Sequence, residues 1–125
     1  MSESLLYAFY GSLRRGMDNH ALYEHELQYQ CTVVLKGYAL YSLVDYPYAV
    51  KTGDPRDTLV AELYTIPNPQ TKQTIHDMEL DAGYIFSEEQ IAEGKFGIYI
   101  FATPGHHDER VPGGDWVAYR LALGK

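Results

Sequence analysis

The chain has an uninterrupted apolar segment near its N-terminus. Residues 5–10 read "LLYAFY", and every position is apolar. A strand that is covered on both faces has this pattern, whereas a half-buried strand alternates apolar and polar side chains. Gly11 lets the chain turn where the segment ends, and turn-forming residues follow before the next apolar positions. A strand, a glycine turn and a helix start together predict a group of backbone N–H donors that suits an anion.

Further along the chain, apolar segments alternate with polar ones at the spacing of strands. A first helix is expected at residues 21–27, and "CTVVLKGYALYSL" predicts a strand interrupted at Gly37 by a bulge or bend. The segments "YPYAVKTG", "TLVAELYTI" and "EGKFGIYIFAT" predict three more strands. Glu88 and Glu89 are expected in an exposed turn.

A second helix has clear start and stop signals. Asn68 is a favourable N-cap, Pro69 suits the first helical position, and Gly83 is placed to end the helix near Ala82. Mostly strands with about two helices predict an α+β fold, and strands rich in glycine and aromatics favour a curled sheet or small mixed β-barrel. Since no repeat or long linker interrupts residues 1–125, we expect a single domain.

The second helix carries a carboxylate on its apolar face. Counting from Ile75, the positions three, four and seven residues on are Met78, Glu79 and Ala82, which share one helix face. A carboxylate there either reaches solvent at the edge of the face, pairs with Arg or Lys, or lies in a pocket with a raised pKa. The spacing leaves these three alternatives open.

Composition narrows the functional classes. Twelve tyrosines recur in the predicted strands, where they either line a cleft with hydroxyls or pack as ordinary strand core. A net charge of −7 argues against nucleic acid as a partner. Cys31 is the only cysteine, so no internal disulfide forms, and a reducing cytoplasm fits best. No signal peptide or membrane span is recognised, because no segment approaches ~20 apolar residues.

Two other candidate sites are weaker. Ser12 lies in "GSL", which is not the elbow motif of a serine nucleophile. His106, His107 and Asp108 contain metal-ligand types, but adjacent histidines on a strand point to opposite faces, and a solvated loop explains them equally well. We therefore predict no metal site.

These motifs together resemble the gamma-glutamyl cyclotransferase-like family, also called AIG2-like. "YGSL" at residues 10–13 is similar to that family's Tyr-Gly-Ser/Thr-Leu signature, and "AELY" at residues 61–64 is similar to its Gly-Glu-Leu-Tyr strand. "IHDMELDAGY" resembles the end of the helix with the catalytic glutamate, and Glu79 has its position. "GGDW" is similar to the closing segment. The order of these motifs is more specific than any one of them.

The resemblance implies a small mixed barrel with two helices and a cavity for a small gamma-glutamyl amide or amine. In that family, the substrate's α-amine attacks its own γ-carbonyl and releases 5-oxoproline with an amine or amino acid. By resemblance, Glu79 is the catalytic acid and base, while Tyr10, Gly11, Ser12 and Leu13 bind the substrate. Nucleophile and electrophile belong to one molecule, so no cofactor, metal or covalent enzyme intermediate is required.

Three positions depart from the family's pattern. His76 stands where aspartate is usual, Ala61 replaces a glycine, and Ser87 stands where an arginine is common. Because changed residues near a pocket alter what fits it, the resemblance does not identify the amine that the reaction would release. The alternatives are a metabolite-binding module without catalysis and a protein-interaction module, and either function is compatible with a homodimer.

Overall fold

The computed structural model describes residues 5–11, 13–15, 17–43, 46–105 and 108–122. Three of the candidates, Ser12, His106 and His107, lie outside the described residues. The described elements are β1 Leu6–Phe9, α1 Asp18–Tyr23, β2 Gln28–Lys36, β3 Tyr38–Ser42, β4 Pro47–Lys51, β5 Thr58–Thr65, α2 Pro69–Asp81, β6 Ile85–Ile91, β7 Gly94–Ile100, β8 Glu109–Arg110 and α3 Trp116–Ala122. The predicted α+β class is confirmed.

The strands form two sheets that share a core. The larger sheet has the order β2-β5-β1-β7-β6, and the smaller has the order β4-β3-β8. β1 lies at the centre of the larger sheet, antiparallel to β5 and parallel to β7, which explains why its sequence is apolar throughout. A bridge between Val50 and Phe101 joins the two sheets.

Alternating side chains of the larger sheet enter two different apolar clusters. The inner cluster lies between the sheets and includes Ala8, Leu40, Ile98 and Trp116. The outer cluster lies on the opposite face, and its members include Phe9, Tyr64, Ile75, Tyr84 and Tyr99. Because neighbouring strand residues point to opposite faces, each strand through the middle of the sheet contributes to both clusters.

The predicted limits of α2 are confirmed. The Asn68 side chain accepts a hydrogen bond from the Gln70 amide at 2.8 Å, and Pro69 is the first helical residue. Gly83 follows the helix with a φ of +98°, a conformation that favours glycine. No helix in the described ranges is long and apolar enough to span a membrane.

Other boundaries differ from the sequence-based expectations. α1 ends at Tyr23 rather than at residue 27, and the next residues form a turn in which the Glu26 amide donates to the Tyr23 carbonyl at 2.7 Å. The exposed turn predicted for Glu88 and Glu89 was wrong, since both lie in β6 and pair with β7. β6 is an edge strand, and the polar residues in its middle resemble those of an exposed loop.

α3 is a helix that the sequence analysis did not predict. It begins after Asp115, whose carboxylate accepts the Ala118 amide at 3.1 Å. Gly113 and Gly114, both with positive φ, turn the chain ahead of it. This local geometry places Trp116 in the inner cluster, where it is fully buried.

Candidate active site

Glu79 lies in the last turn of α2 with its side chain partly buried. Burial raises the pKa of this carboxyl to about 7. Among the described residues, no Arg or Lys forms an ion pair with it. Ile75 and Met78 of the same predicted face join the outer cluster, whereas Ala82 is exposed. Of the three alternatives for Glu79, this environment fits a partly enclosed carboxyl with a raised pKa.

Three tyrosine hydroxyls lie within electrostatic reach of Glu79. Burial is the main cause of the raised pKa values of Tyr10, Tyr84 and Tyr99, and the Glu79 carboxylate adds to each of them. These tyrosines come from the end of β1, the segment after α2, and β7. The structure therefore brings predicted site residues Tyr10 and Glu79 to the same region, with the additional members Tyr84 and Tyr99.

Sequence reasoning missed Tyr84 and Tyr99 as neighbours of Glu79. Tyr99 had a recognisable signal, since it interrupts the apolar residues of β7 and points away from Ile98 and Ile100. Tyr84 directly follows the glycine that ends α2. Its hydroxyl donates a hydrogen bond to the Pro47 carbonyl.

The Tyr10 hydroxyl makes two hydrogen bonds within the protein. It donates to the Tyr99 carbonyl at 2.5 Å and accepts the Ala49 amide at 3.0 Å. These bonds hold the end of β1 against both sheets. They also fix the chain immediately before Gly11, and a substrate-binding role for Tyr10 stays a prediction.

Gly11 is required by a close approach to Pro47. A Cβ atom at position 11 would lie 2.8 Å from both Cγ and Cδ of that ring. The Arg14 amide donates to the Gly11 carbonyl at 3.0 Å and closes the turn. Glycine at this position thus allows the backbone after β1 to pass against Pro47.

Leu13 contributes its backbone rather than its side chain to this turn. The side chain is buried in the outer cluster. Its carbonyl oxygen lies 3.0 Å from Nδ1 of His20, which connects the turn to α1. Leu13 shares this cluster with Tyr84 and Tyr99, and its role in substrate binding stays a prediction.

A buried ionic network holds the segment that follows the turn. Glu62 is only 3% exposed, and its carboxylate lies 3.2 Å from Nε of Arg14. The same carboxylate accepts hydrogen bonds from the Arg15 amide at 2.9 Å and from the Tyr64 hydroxyl at 2.6 Å. Nη1 of Arg14 also pairs with Asp115 at 2.8 Å. The network links the turn to β5 and to the start of α3.

His76 is one of the departures from the family pattern, and it lies beside the tyrosines near Glu79. Its Nδ1 is 2.8 Å from the Tyr99 hydroxyl, and its ring meets the Phe86 ring edge-on with centroids 5.5 Å apart. Ala61 is fully buried in the inner cluster, and Ser87 is partly buried in β6. His76 is thus the departure that directly contacts a residue near Glu79.

No group of three or more His, Cys, Asp or Glu side chains in the described part of the chain has the arrangement of a metal site. The sequence analysis also considered a metal site at His106, His107 and Asp108, and the first two of these lie outside the described residues. The tyrosines near Glu79 have raised pKa values, so their hydroxyls keep their protons and suit hydrogen bonding.

Comparison with known proteins finds solved structures that share this fold. The structure matches that of an uncharacterised protein from Pyrococcus horikoshii with a TM-score of 0.81, 28% identity and 97% of both chains covered. YtfP from Escherichia coli matches with a TM-score of 0.71 and 25% identity over 93% of this chain and 99% of that one. An AIG2-like protein from Mus musculus, 18% identical, shares the fold with a TM-score of 0.66 over 84% of this chain and 82% of that one.

No curated protein matches the chain. A family model described as gamma-glutamyl cyclotransferase, AIG2-like, matches residues 7–118. The match includes the turn after β1, the Glu62 strand and the whole of α2. The chain therefore belongs to the gamma-glutamyl cyclotransferase, AIG2-like family.

Proposed function

We propose that the protein converts a small gamma-glutamyl amide or amine into 5-oxoproline and a free amine or amino acid. The substrate's α-nitrogen forms a bond to its γ-carbonyl carbon, and the bond from that carbon to the leaving nitrogen breaks. The α-ammonium loses two protons as it becomes the ring N–H, and the leaving nitrogen gains two as it becomes an ammonium, so the reaction is balanced without a co-reactant. The observation that carries the proposal is the Glu79 carboxyl, whose pKa burial raises to about 7.

A carboxyl with this pKa suits both proton transfers. Near neutral pH the ionised and protonated forms of Glu79 are both populated, so one residue takes each proton in turn from the α-nitrogen and passes it to the leaving nitrogen. No described cation pairs with Glu79, and such a partner would lower its pKa and weaken it as a base. The neighbouring tyrosines keep the site polar without neutralising the carboxylate.

The turn after β1 supplies the substrate's binding groups in this proposal. Backbone amides at Gly11, Ser12 and Leu13 hold the glutamyl end and stabilise charge that develops on the γ-carbonyl oxygen. Ser12 contributes a hydrogen bond rather than a nucleophile. The Tyr10 hydrogen bonds, the Gly11 contact with Pro47 and the Glu62 network keep this turn in place. Such rigid support favours catalysis because the donors need no reorganisation.

The test is release of 5-oxoproline from a panel of gamma-glutamyl amino acids and gamma-glutamyl amines. We expect the wild-type protein to release it from at least one member, and Glu79→Gln to lower kcat by at least about a hundredfold. Asp81→Asn, an exposed position in the same helical turn, is the matched control and should keep full activity. Folded wild-type protein with no release from any substrate would favour a metabolite-binding module. Equal release by Glu79→Gln would remove Glu79 from the mechanism.

A further inference from the structure

A cavity of about 610 Å³ lies where the two edge strands of the larger sheet, β2 and β6, approach each other. Its walls include residues 32–36 of β2 and residues 89–91 of β6. None of Tyr10, Glu79, Tyr84 and Tyr99 lines it, so it is separate from the proposed active site. Small-molecule sites have volumes of roughly 300–1,000 Å³. The cavity therefore has the size of a ligand site.

Tyr38 contributes a buried hydroxyl to this region. The residue lines the cavity and is only 4% exposed, yet its hydroxyl has no hydrogen-bond partner among the described residues. Burial raises its pKa to about 12, with a smaller effect from Glu89, so the hydroxyl keeps its proton near neutral pH. A buried hydroxyl without a partner is unfavourable. A ligand with an acceptor group would satisfy it.

The charges around the cavity favour a ligand that carries both signs. Lys36 and Lys51 are opposed by Glu89 and Glu93, so the wall has no net charge. Lys51 and Glu89 already pair at 2.5 Å, whereas neither Lys36 nor Glu93 is in an ion pair with another described residue. A simple anion would meet two carboxylates, and a simple cation would meet two ammonium groups. A zwitterion places each charge opposite its complement.

The rest of the wall is mainly apolar, with Thr32 and Gln90 as its polar members. Phe96 and Leu35 are almost fully buried, and Ile91 packs against the same inner cluster. An aliphatic or aromatic group of a ligand would contact these side chains and gain from leaving water. The cavity thus combines apolar side chains, the unpartnered Tyr38 hydroxyl and a pair of opposite charges.

We propose that this cavity binds a free amino acid with an apolar side chain. The carboxylate of the amino acid accepts a hydrogen bond from the Tyr38 hydroxyl and pairs with Lys36. The ammonium group pairs with Glu93, and the side chain of the amino acid lies against Phe96. This site goes beyond the proposed catalytic function and does not depend on it. An amino acid bound there joins the two edge strands and stabilises the folded protein by mass action.

The first test compares three probes by amide chemical-shift titration of the whole protein. L-leucine carries both charges, isopentylamine lacks the carboxylate, and 4-methylpentanoate lacks the ammonium group. We expect leucine to shift amides of β2 and β6 and to bind at least about tenfold more tightly than either of the other probes. No shift up to about 10 mM leucine, or equal affinity for all three probes, would overturn the proposal.

The second test assigns binding to the cavity. Tyr38→Phe and Lys36→Met should each weaken leucine binding about tenfold, because each removes one interaction with a charged group. Tyr41→Phe, on the same strand, and Lys95→Met, on β7, do not line the cavity and should leave the affinity unchanged. Unchanged affinity in both cavity variants would refute the site. Should Tyr38→Phe fail to fold, Lys36→Met alone decides.

Binding must also be independent of the proposed reaction. Glu79→Gln should bind leucine with wild-type affinity, even if 5-oxoproline release is lost or was never present. Leucine-induced shifts centred on Tyr10 and Tyr84 and abolished by Glu79→Gln would place binding at the proposed active site. That result would overturn the cavity proposal while leaving the proposed function intact.

Discussion

The Tyr10 hydroxyl donates a hydrogen bond to the Tyr99 carbonyl at 2.5 Å, although the two residues lie 89 positions apart. It also accepts the Ala49 amide of the smaller sheet at 3.0 Å. One side chain therefore connects the end of β1 with β7 and β4. Since Gly11 follows directly, the position of the proposed substrate-binding turn depends on this hydroxyl.

Tyr10→Phe should destabilise the protein by about 2–3 kcal/mol, because it leaves the Tyr99 carbonyl and the Ala49 amide unpaired in the core. Urea unfolding measures the loss. Tyr23→Phe is the control, since its hydroxyl makes no hydrogen bond to another described residue and α1 lies at the protein surface. Equal stability of Tyr10→Phe and wild type would contradict the assigned hydrogen bonds.

Glu79 should make the stability of the fold depend on pH. Its pKa is about 7 in the folded protein and near 4.5 in the unfolded chain, so the folded state binds more protons between these values. The free energy of unfolding should therefore fall as pH rises from about 4.5 to about 7. Glu79→Gln should remove this trend and be more stable than wild type by about 1–3 kcal/mol at pH ~8. Urea unfolding across this pH range, with Asp81→Asn as control, measures the difference, and parallel curves for all three proteins would contradict it.

The same titration should appear in the kinetics of the proposed reaction. The ionised form of Glu79 is the base, so kcat/KM should rise about tenfold per pH unit below the pKa and level off near pH ~7. Initial rates of 5-oxoproline release across the pH range measure the profile. A profile that is flat through neutral pH would exclude Glu79 as the titrating base.

Glu62 should act on catalysis by positioning the turn. Glu62→Gln removes the charge that faces Arg14 and should cost about 3 kcal/mol of stability, less if Asp115 compensates. If it acts through the turn alone, kcat/KM should fall while the midpoint of the pH profile stays near 7. Glu24→Gln, at an exposed position, should change neither property. A shifted midpoint in Glu62→Gln would instead indicate direct participation in proton transfer.

The two glycines before Asp115 should respond differently to alanine. A Cβ at Gly114 would lie 1.8 Å from the Thr58 carbonyl oxygen, and φ there is +66°. Gly114→Ala should therefore destabilise the protein by more than about 3 kcal/mol or prevent folding. Gly113 also has positive φ but no atom within 4 Å of the added carbon, so Gly113→Ala should cost only about 1 kcal/mol. Thermal unfolding of both variants measures the contrast, and similar losses would contradict the steric explanation.

Local signals in the sequence were sufficient for several features. The limits of α2 follow from Asn68, Pro69 and Gly83, since capping and glycine conformations depend on neighbouring residues alone. The central position of β1 follows from its continuous apolar residues. Helical periodicity also identified Glu79 as a carboxylate on an apolar face before its environment was known.

Tertiary structure alone decided which residues surround that carboxylate and what holds the adjacent turn. Tyr99 reaches Glu79 through the pairing of distant strands, and Glu62 meets Arg14 from 48 positions away. The edge strand β6 forms because β7 pairs with it, although Glu88 and Glu89 resemble a turn. The sequence by itself determined the local elements and the candidate base. The contacts that set its pKa and its neighbours arose only when the sheets packed, because burial and hydrogen bonding between remote residues have no local signature.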